Sequence, residues 1–208
     1  MIALVDYGAG NLTSVRKALS ALGAEFSTPA APDELKGASA VIVPGVGHFA
    51  ATSVLDESWR SAIGESARQG TPLFGICVGM QWLFEGSDEA PGVAGLGVMR
   101  GQIARLEGDA DLRLKVPHVG WNALDFTRTA RLLRGLDSGA QVYFTHSYAA
   151  PVTPECVAAT THANTFASAV ERDNIFGVQF HPEKSSDAGL QILRNFLEIA
   201  RERARRRC

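Results

Sequence analysis

Three short apolar runs, each cut off by glycine or proline and each leading toward a helical pattern, constrain this chain more than any other feature. Ile2-Ala3-Leu4-Val5 passes through the turn Gly8-Ala9-Gly10 into a segment with Leu12, Val15, Ala18, Leu19 and Leu22 at helical spacing. Ala40-Val41-Ile42-Val43 breaks at Pro44-Gly45, and Pro72-Leu73-Phe74-Gly75-Ile76 runs into Met80-Gln81-Trp82-Leu83-Phe84. Strands with no polar face are covered on both sides, and strands alternating with helices build a largely parallel sheet between helical layers. An α/β fold is therefore expected. Ligands of such sheets collect at the carboxyl ends of the strands, so the loops after Val43 and Ile76 are the first places to look for a site.

Beyond Pro91 the texture becomes strand-rich, with short runs at Gly97-Val98-Met99, Gln141-Val142-Tyr143-Phe144, Val157-Ala158-Ala159-Thr160 and Phe176-Gly177-Val178-Gln179-Phe180. A closing helix is expected from about Asp187 to Ala204, with Asp187 suiting its start and the five arginines from Arg201 to Arg207 suiting the negative end of its dipole. No repeat or low-complexity linker divides the 208 residues, so one domain over 1–208 is expected. With 20 Lys+Arg against 22 Asp+Glu the formal charge is −2, which leaves no basic field for a nucleic-acid partner. The first residues lack a basic leader region and no apolar run reaches membrane-spanning length, so a soluble, cytoplasmic chain without a membrane partner is expected.

Chemistry enters at Gly75-Ile76-Cys77-Val78-Gly79, between an apolar strand and a helix: the pattern of a nucleophile elbow with Cys in place of Ser. Glycines on both sides permit the sharp turn, and the helix amino terminus then faces the sulfur and favours the thiolate. A cysteine nucleophile needs a base and a group that orients the base. His181-Pro182-Glu183 offers both: if the chain stays extended through Pro182, His181 and Glu183 project to the same side. The order Cys, His, Glu differs from the Ser…Asp/Glu…His order of the α/β-hydrolases.

With Gly75-Ile76-Cys77-Val78-Gly79-Met80-Gln81 and His181-Pro182-Glu183-Lys184-Ser185 in place, the sequence resembles the class I (triad-type) glutamine amidotransferases. Ile2 to Leu12, Pro44-Gly45-Val46-Gly47, Pro117-His118-Val119-Gly120-Trp121-Asn122 and Tyr143-Phe144-Thr145-His146-Ser147-Tyr148 are similar to the glutaminase subunits of that family that serve imidazole glycerol phosphate synthesis in histidine biosynthesis. The resemblance implies a three-layer αβα domain whose mixed sheet has a parallel centre. It implies hydrolysis of L-glutamine to glutamate and ammonia, and a heterodimer with a (β/α)8-barrel cyclase subunit that receives the ammonia.

It also assigns roles. Cys77 is expected to attack the amide carbon and become a glutamyl thioester, with His181 as base and acid and Glu183 orienting it. Gly45, Val46, Gly47 and Val78 are expected to form the oxyanion loop, and Gly47, Gln81, Ser147 and Tyr148 to hold glutamine. A peptide flip in the Pro44–Gly47 loop is expected to switch the glutaminase on when the partner's substrate binds. Asn11, Trp121 and Lys184 are expected at the cyclase interface, although Trp121 also fits a core position.

Other signals carry less. The third glycine of a dinucleotide-binding G-x-G-x-x-G would fall on Thr13. His48, His118, His146 and His162 have no metal-ligand spacing, Cys156 reads as core and Cys208 is terminal, so neither a metal nor a cofactor is expected. The rival readings are another cysteine hydrolase or peptidase, a glutaminase of a different pathway such as pyridoxal phosphate synthesis, and an inactive binding subunit that keeps the fold.

Overall fold

A computed structural model of the chain describes residues 1–9, 11–109, 111 and 114–205. Gly10 of the first turn, Arg206, Arg207 and Cys208 lie outside the described residues. In chain order the regular elements are β1 (Ile2–Leu4), α1 (Leu12–Ala21), β2 (Phe26–Ser27), β3 (Ala40–Gly45), α2 (Glu57–Arg68), β4 (Leu73–Cys77), α3 (Val78–Trp82), β5 (Gly86–Ser87) and β6 (Gln102–Arg105). Then follow β7 (His118–Phe126), β8 (Ala140–His146), β9 (Tyr148–Ala149), β10 (Cys156–His162), β11 (Asn164–Arg172), β12 (Ile175–Val178) and α4 (Ser186–Arg205).

The main sheet has the order β2-β1-β3-β4-β12-β11-β10-β7-β8. The five strands from β2 to β12 run parallel, and the pairings from β12 out to β8 are antiparallel. A small second sheet, β5-β6-β9, lies beside it. The wholly apolar β3 and β4 are buried along their full length, as strands covered on both faces must be.

Alternation along β4 and β12 separates two helical layers. Phe74 and Phe176 point to one face, where both rings meet Phe196 of α4, at centroid distances of 4.8 and 5.9 Å. Gly75 and Gly177 point to the other face, where α3 lies so close that a Cβ on Gly75 would come within 2.5 Å of the Gly79 carbonyl oxygen, and one on Gly177 within 2.7 Å of Met80. The strands feeding this region end in register, with Gly45 beside Cys77 and Ile76 beside Val178. Residues 45–47, 77–78 and 179–181 therefore emerge together at the carboxyl edge of the parallel half.

Two expectations are corrected. Gly97-Val98-Met99 is not a strand, because its amides at Gly97 and Met99 bond to the Phe84 and Leu83 carbonyls of the segment after α3 and join no ladder. The chain also does not stay extended through Pro182: β12 stops at Val178, and Pro182–Lys184 is a 3-10 turn leading into α4.

Close approach of α3 to β3 gives a direct test. A Cβ on Gly79 would lie 1.8 Å from the Val43 carbonyl oxygen, whereas one on Gly92 would meet nothing within 4 Å. Gly79→Ala should therefore cost at least the ~1–3 kcal/mol of an overpacked core, with Gly92→Ala within about 0.5 kcal/mol of the parent. Thermal or urea unfolding of the two variants measures the difference.

Candidate active site

Cys77 stands where β4 becomes α3, with φ 53° and ψ −112°, a left-handed conformation that non-glycine residues avoid and that costs about 1–3 kcal/mol. The glycines around it make the turn possible: Gly75 and Gly79 let the helix pack against the strand, and a Cβ on Gly45 would strike Val78 Cβ at 2.8 Å. Cys77 is 3% exposed and lines a narrow cleft with Gly47, Val78, Gln81, Glu89, Thr145, His146, Ser147 and Tyr148.

The predicted base and its orienting group meet despite the 3-10 turn. His181, 1% exposed, shares a 3.0 Å hydrogen bond between Nδ1 and Glu183 Oε1, and the Glu183 side chain is equally buried. Its backbone is clipped to β8: the His181 amide donates to the Tyr143 carbonyl at 3.0 Å, while the Ser185 hydroxyl donates to the His181 carbonyl at 2.6 Å and accepts from the Tyr143 amide at 2.9 Å. Among the described residues Nε2 forms no closed hydrogen bond, and the Cys77 thiol is the group that acts on it. Burial alone lowers the His181 pKa, but the neighbouring Cys77 and the bonded Glu183 outweigh it and hold the imidazole up to about 10.

The remaining predicted residues divide. Gly45 closes β3 beside Cys77, and Gly47, exposed with φ +89°, has open space around it. The Val46 amide is engaged, donating to the Ala9 carbonyl at 3.1 Å. Gln81 is buried, and its Nε2 donates to the Tyr148 carbonyl at 2.9 Å and to Gln179 Oε1 at 3.1 Å. Trp121 is not core: it is 53% exposed on β7, edge-on to Tyr143 at 6.1 Å between centroids. Lys184 is exposed, and Asn11 caps α1 without a side-chain cap bond. Both α1 and β8 pack against the turn that holds Lys184.

Four residues of this site escaped the sequence reading. Gln179, fully buried, donates from Nε2 to Cys77 Sγ at 3.7 Å. Its signal was an amide inside the apolar run Phe176 to Phe180. Glu89 lines the cleft and accepts from the Phe49 amide at 2.8 Å. The Tyr7 hydroxyl is buried beside Gly45 with no hydrogen-bond partner among the described residues, and burial followed by the Cys77 charge pushes its phenol upward. Ser185 is the clip described above, and its signal was its place in the His181 to Ser185 run.

Among the described residues no group of three or more His, Cys, Asp and Glu side chains is placed to hold a metal, and no helix is long and apolar enough to cross a membrane. The family pattern named Glutamine amidotransferase class-I matches residues 3–200. The chain is 46% identical to the imidazole glycerol phosphate synthase subunit HisH of Moorella thermoacetica, over 96% of this chain and 95% of that protein. It is also 46% identical to the protein of the same name from Thermococcus kodakarensis, over 96% of this chain and 100% of the other. A solved structure titled as a glutamine amidotransferase superposes with a TM-score of 0.74 at 21% identity, covering 96% of this chain and 99% of that one.

A pH prediction follows from the histidines behind the cleft. Burial first, and then the charge of His162, lowers His118 from 6.5 to about 4. Burial, with charge from His118, His162 and His181, lowers His146 to about 3 despite its bond to the Tyr148 carbonyl. Below pH 6.5 the unfolded chain binds protons that the folded chain refuses, so stability falls as pH drops toward 4, by up to about 1.4 kcal/mol per unit for each ring. Melting temperature should decline progressively from about pH 6.5 to pH 4, below the range in which the raised His181 acts in the opposite direction. A flat profile would mean that both rings carry charge in the fold.

Proposed function

We infer the activity from one premise: the chain belongs to the class-I glutamine amidotransferases, and within them to the HisH subunits of imidazole glycerol phosphate synthase. We propose that it hydrolyses the side-chain amide of L-glutamine to glutamate and ammonia. The observation that carries this reading is the elbow itself, a strained Cys77 beside an imidazole whose far nitrogen is held by Glu183 at 3.0 Å.

Cys77 Sγ attacks the amide carbon while its proton resides on His181 Nε2, forming a tetrahedral oxyanion. The C–N bond then breaks, His181 returns the proton to the departing ammonia, and a glutamyl thioester remains. Water that has lost a proton to His181 attacks the thioester and releases glutamate, restoring the thiol. Glu183 keeps Nδ1 protonated throughout, so Nε2 faces the reacting atoms.

Gly47, Gln81, Ser147 and Tyr148 surround the substrate in this reading. Both N–H groups of Gln81 are engaged within the protein, which leaves Oε1 for the α-ammonium, and Glu89 supplies a second acceptor at the same cleft. The cleft is narrow, about 40 Å³. The Val78 amide is one oxyanion donor, and the second comes from Gly45-Val46-Gly47, whose Val46 amide points instead to Ala9. A peptide flip that releases this bond would complete the hole, and the open surroundings of Gly47 permit it.

The ammonia is delivered to a (β/α)8-barrel cyclase subunit, which uses it to make imidazole glycerol phosphate and aminoimidazole carboxamide ribonucleotide. Asn11, Trp121 and Lys184 form part of the heterodimer interface, with the exposed Trp121 as anchor. A cytoplasmic setting suits a chain whose described cysteines, Cys77 and Cys156, are both free thiols.

Glutamate release should be slow for the chain alone and rise in complex with the cyclase and its nucleotide ligand. Cys77→Ala should abolish it, Glu183→Gln should lower it by roughly 10²- to 10⁴-fold, and Gly47→Val should remove the activation by the partner. Strong turnover without the cyclase would overturn the switch, and no turnover in a verified complex would overturn the glutaminase reading.

A further inference from the structure

A chain of hydrogen bonds ends at the Cys77 sulfur, and its polarity is fixed by backbone groups that cannot reverse. At its centre is the Tyr148 carbonyl, which can only accept; it receives Gln81 Nε2 at 2.9 Å and His146 Nδ1 at 2.8 Å, one donor for each lone pair. Gln81 must therefore turn its NH2 group inward, and its second N–H meets Gln179 Oε1 at 3.1 Å. Reversing Gln179 would set two NH2 groups against each other. Gln179 is consequently obliged to present Nε2–H, a donor, to Cys77 Sγ at 3.7 Å.

The same polarity is reached from the far end. Asn122 cannot flip, because its Nδ2 donates to the Thr161 carbonyl at 3.1 Å and its Oδ1 accepts from the Ala123 amide at 2.8 Å. Its Nδ2 also lies 3.3 Å from His118 Nε2, which must then be the bare nitrogen of a neutral ring. His118 Nδ1–H donates to His146 Nε2 at 3.1 Å, which leaves the His146 proton on Nδ1, facing Tyr148. Two independent backbone anchors thus agree on every proton between Asn122 and the sulfur. Burial keeps both rings neutral, as this sequence of donors and acceptors requires.

We propose that Gln179 is a further catalytic residue, which holds the Cys77 thiolate through Nε2–H, and that Gln81, His146 and His118 are positioning residues that fix the direction of its amide. The inference rests on Cys77 being the nucleophile. A thiolate is stabilised by donors and repelled by acceptors, so the direction of one buried amide decides whether the sulfur is held ionised beside His181. Gln179 does not exchange a proton; it is a fixed dipole aimed at the charge.

The test is the ultraviolet absorbance of the thiolate in the full chain, titrated against pH and taken as the difference from Cys77→Ala, so that Cys156 and Cys208 cancel. Gln179→Leu and Gln179→Glu should both delay the thiolate signal to higher pH, read in variants that melt cooperatively and at a temperature where both stay folded, since loss of the acceptor for Gln81 lowers their stability as well. In the complex with the cyclase, kcat for glutamate release should fall about tenfold to a hundredfold, as expected for losing a hydrogen bond to a charged group, with KM nearly unchanged. His146→Asn, whose Nδ2 can replace the imidazole Nδ1 donor, should retain more activity than His146→Leu. Folded Gln179 variants with the parent's thiolate titration and kcat would overturn the proposal. A parent chain with no thiolate signal from Cys77 would instead overturn the nucleophile reading on which it depends.

Discussion

The seating of α3 against β3 and β4 is the constraint on which the rest of the site depends. It is possible only because positions 45, 75 and 79 have no side chain: a Cβ at any of them would come within 3 Å of backbone or packed atoms. That closeness leaves no length of chain for a relaxed turn, so Cys77 takes up the whole change of direction at φ 53°. The strain is held by the burial of β4 on one side and α3 on the other, with Phe74, Phe176 and Phe196 packed behind. A rigid elbow gives the sulfur one position, and the histidine has to be brought to it.

How His181 is brought there shows why sheet register matters more than local conformation. β12 lies parallel to β4 with Ile76 beside Val178, so residues just past Val178 arrive at the level of Cys77 whatever conformation follows. The 3-10 turn at Pro182–Lys184 then swings Glu183 back under Nδ1, and Ser185 ties the His181 carbonyl to β8. Register delivers the imidazole to the sulfur, and the turn supplies its carboxylate.

Much of this was legible in the residues. Apolar runs without a polar face announce buried parallel strands, and a cysteine between two glycines at the end of such a run announces the elbow. The pairing of His181 with Glu183 was also legible, but for a different geometric reason than the alternation of an extended strand, since proline at the first position of a turn suits a 3-10 helix as well as a strand end. Gly97-Val98-Met99 reads as a strand by composition and is not one, because its amides find carbonyls at Phe84 and Leu83 first. Trp121 could not be assigned to core or surface from its neighbours, because exposure on β7, which is paired on both sides, depends on which of its faces another layer covers. Gln179 showed in the sequence only as an amide inside an apolar run, since nothing in the order of residues tells that Gln81 and Cys77 meet it.

Its surroundings fit the proposed control of the site by a partner. Polarity from Asn122 to the sulfur is settled by backbone groups, so the nucleophile is prepared without any substrate. The proposed oxyanion side is the opposite case: the Val46 amide is bonded to Ala9 in the loop ahead of α1, beside a narrow cleft. The two halves of the chemistry rest on different parts of the fold, one on packed strands and the other on a glycine-flanked loop. A partner seated near Asn11 and Lys184 would touch elements next to the loop and leave the prepared thiol alone. Control of the proposed oxyanion donor would then change the barrier for attack without moving the nucleophile.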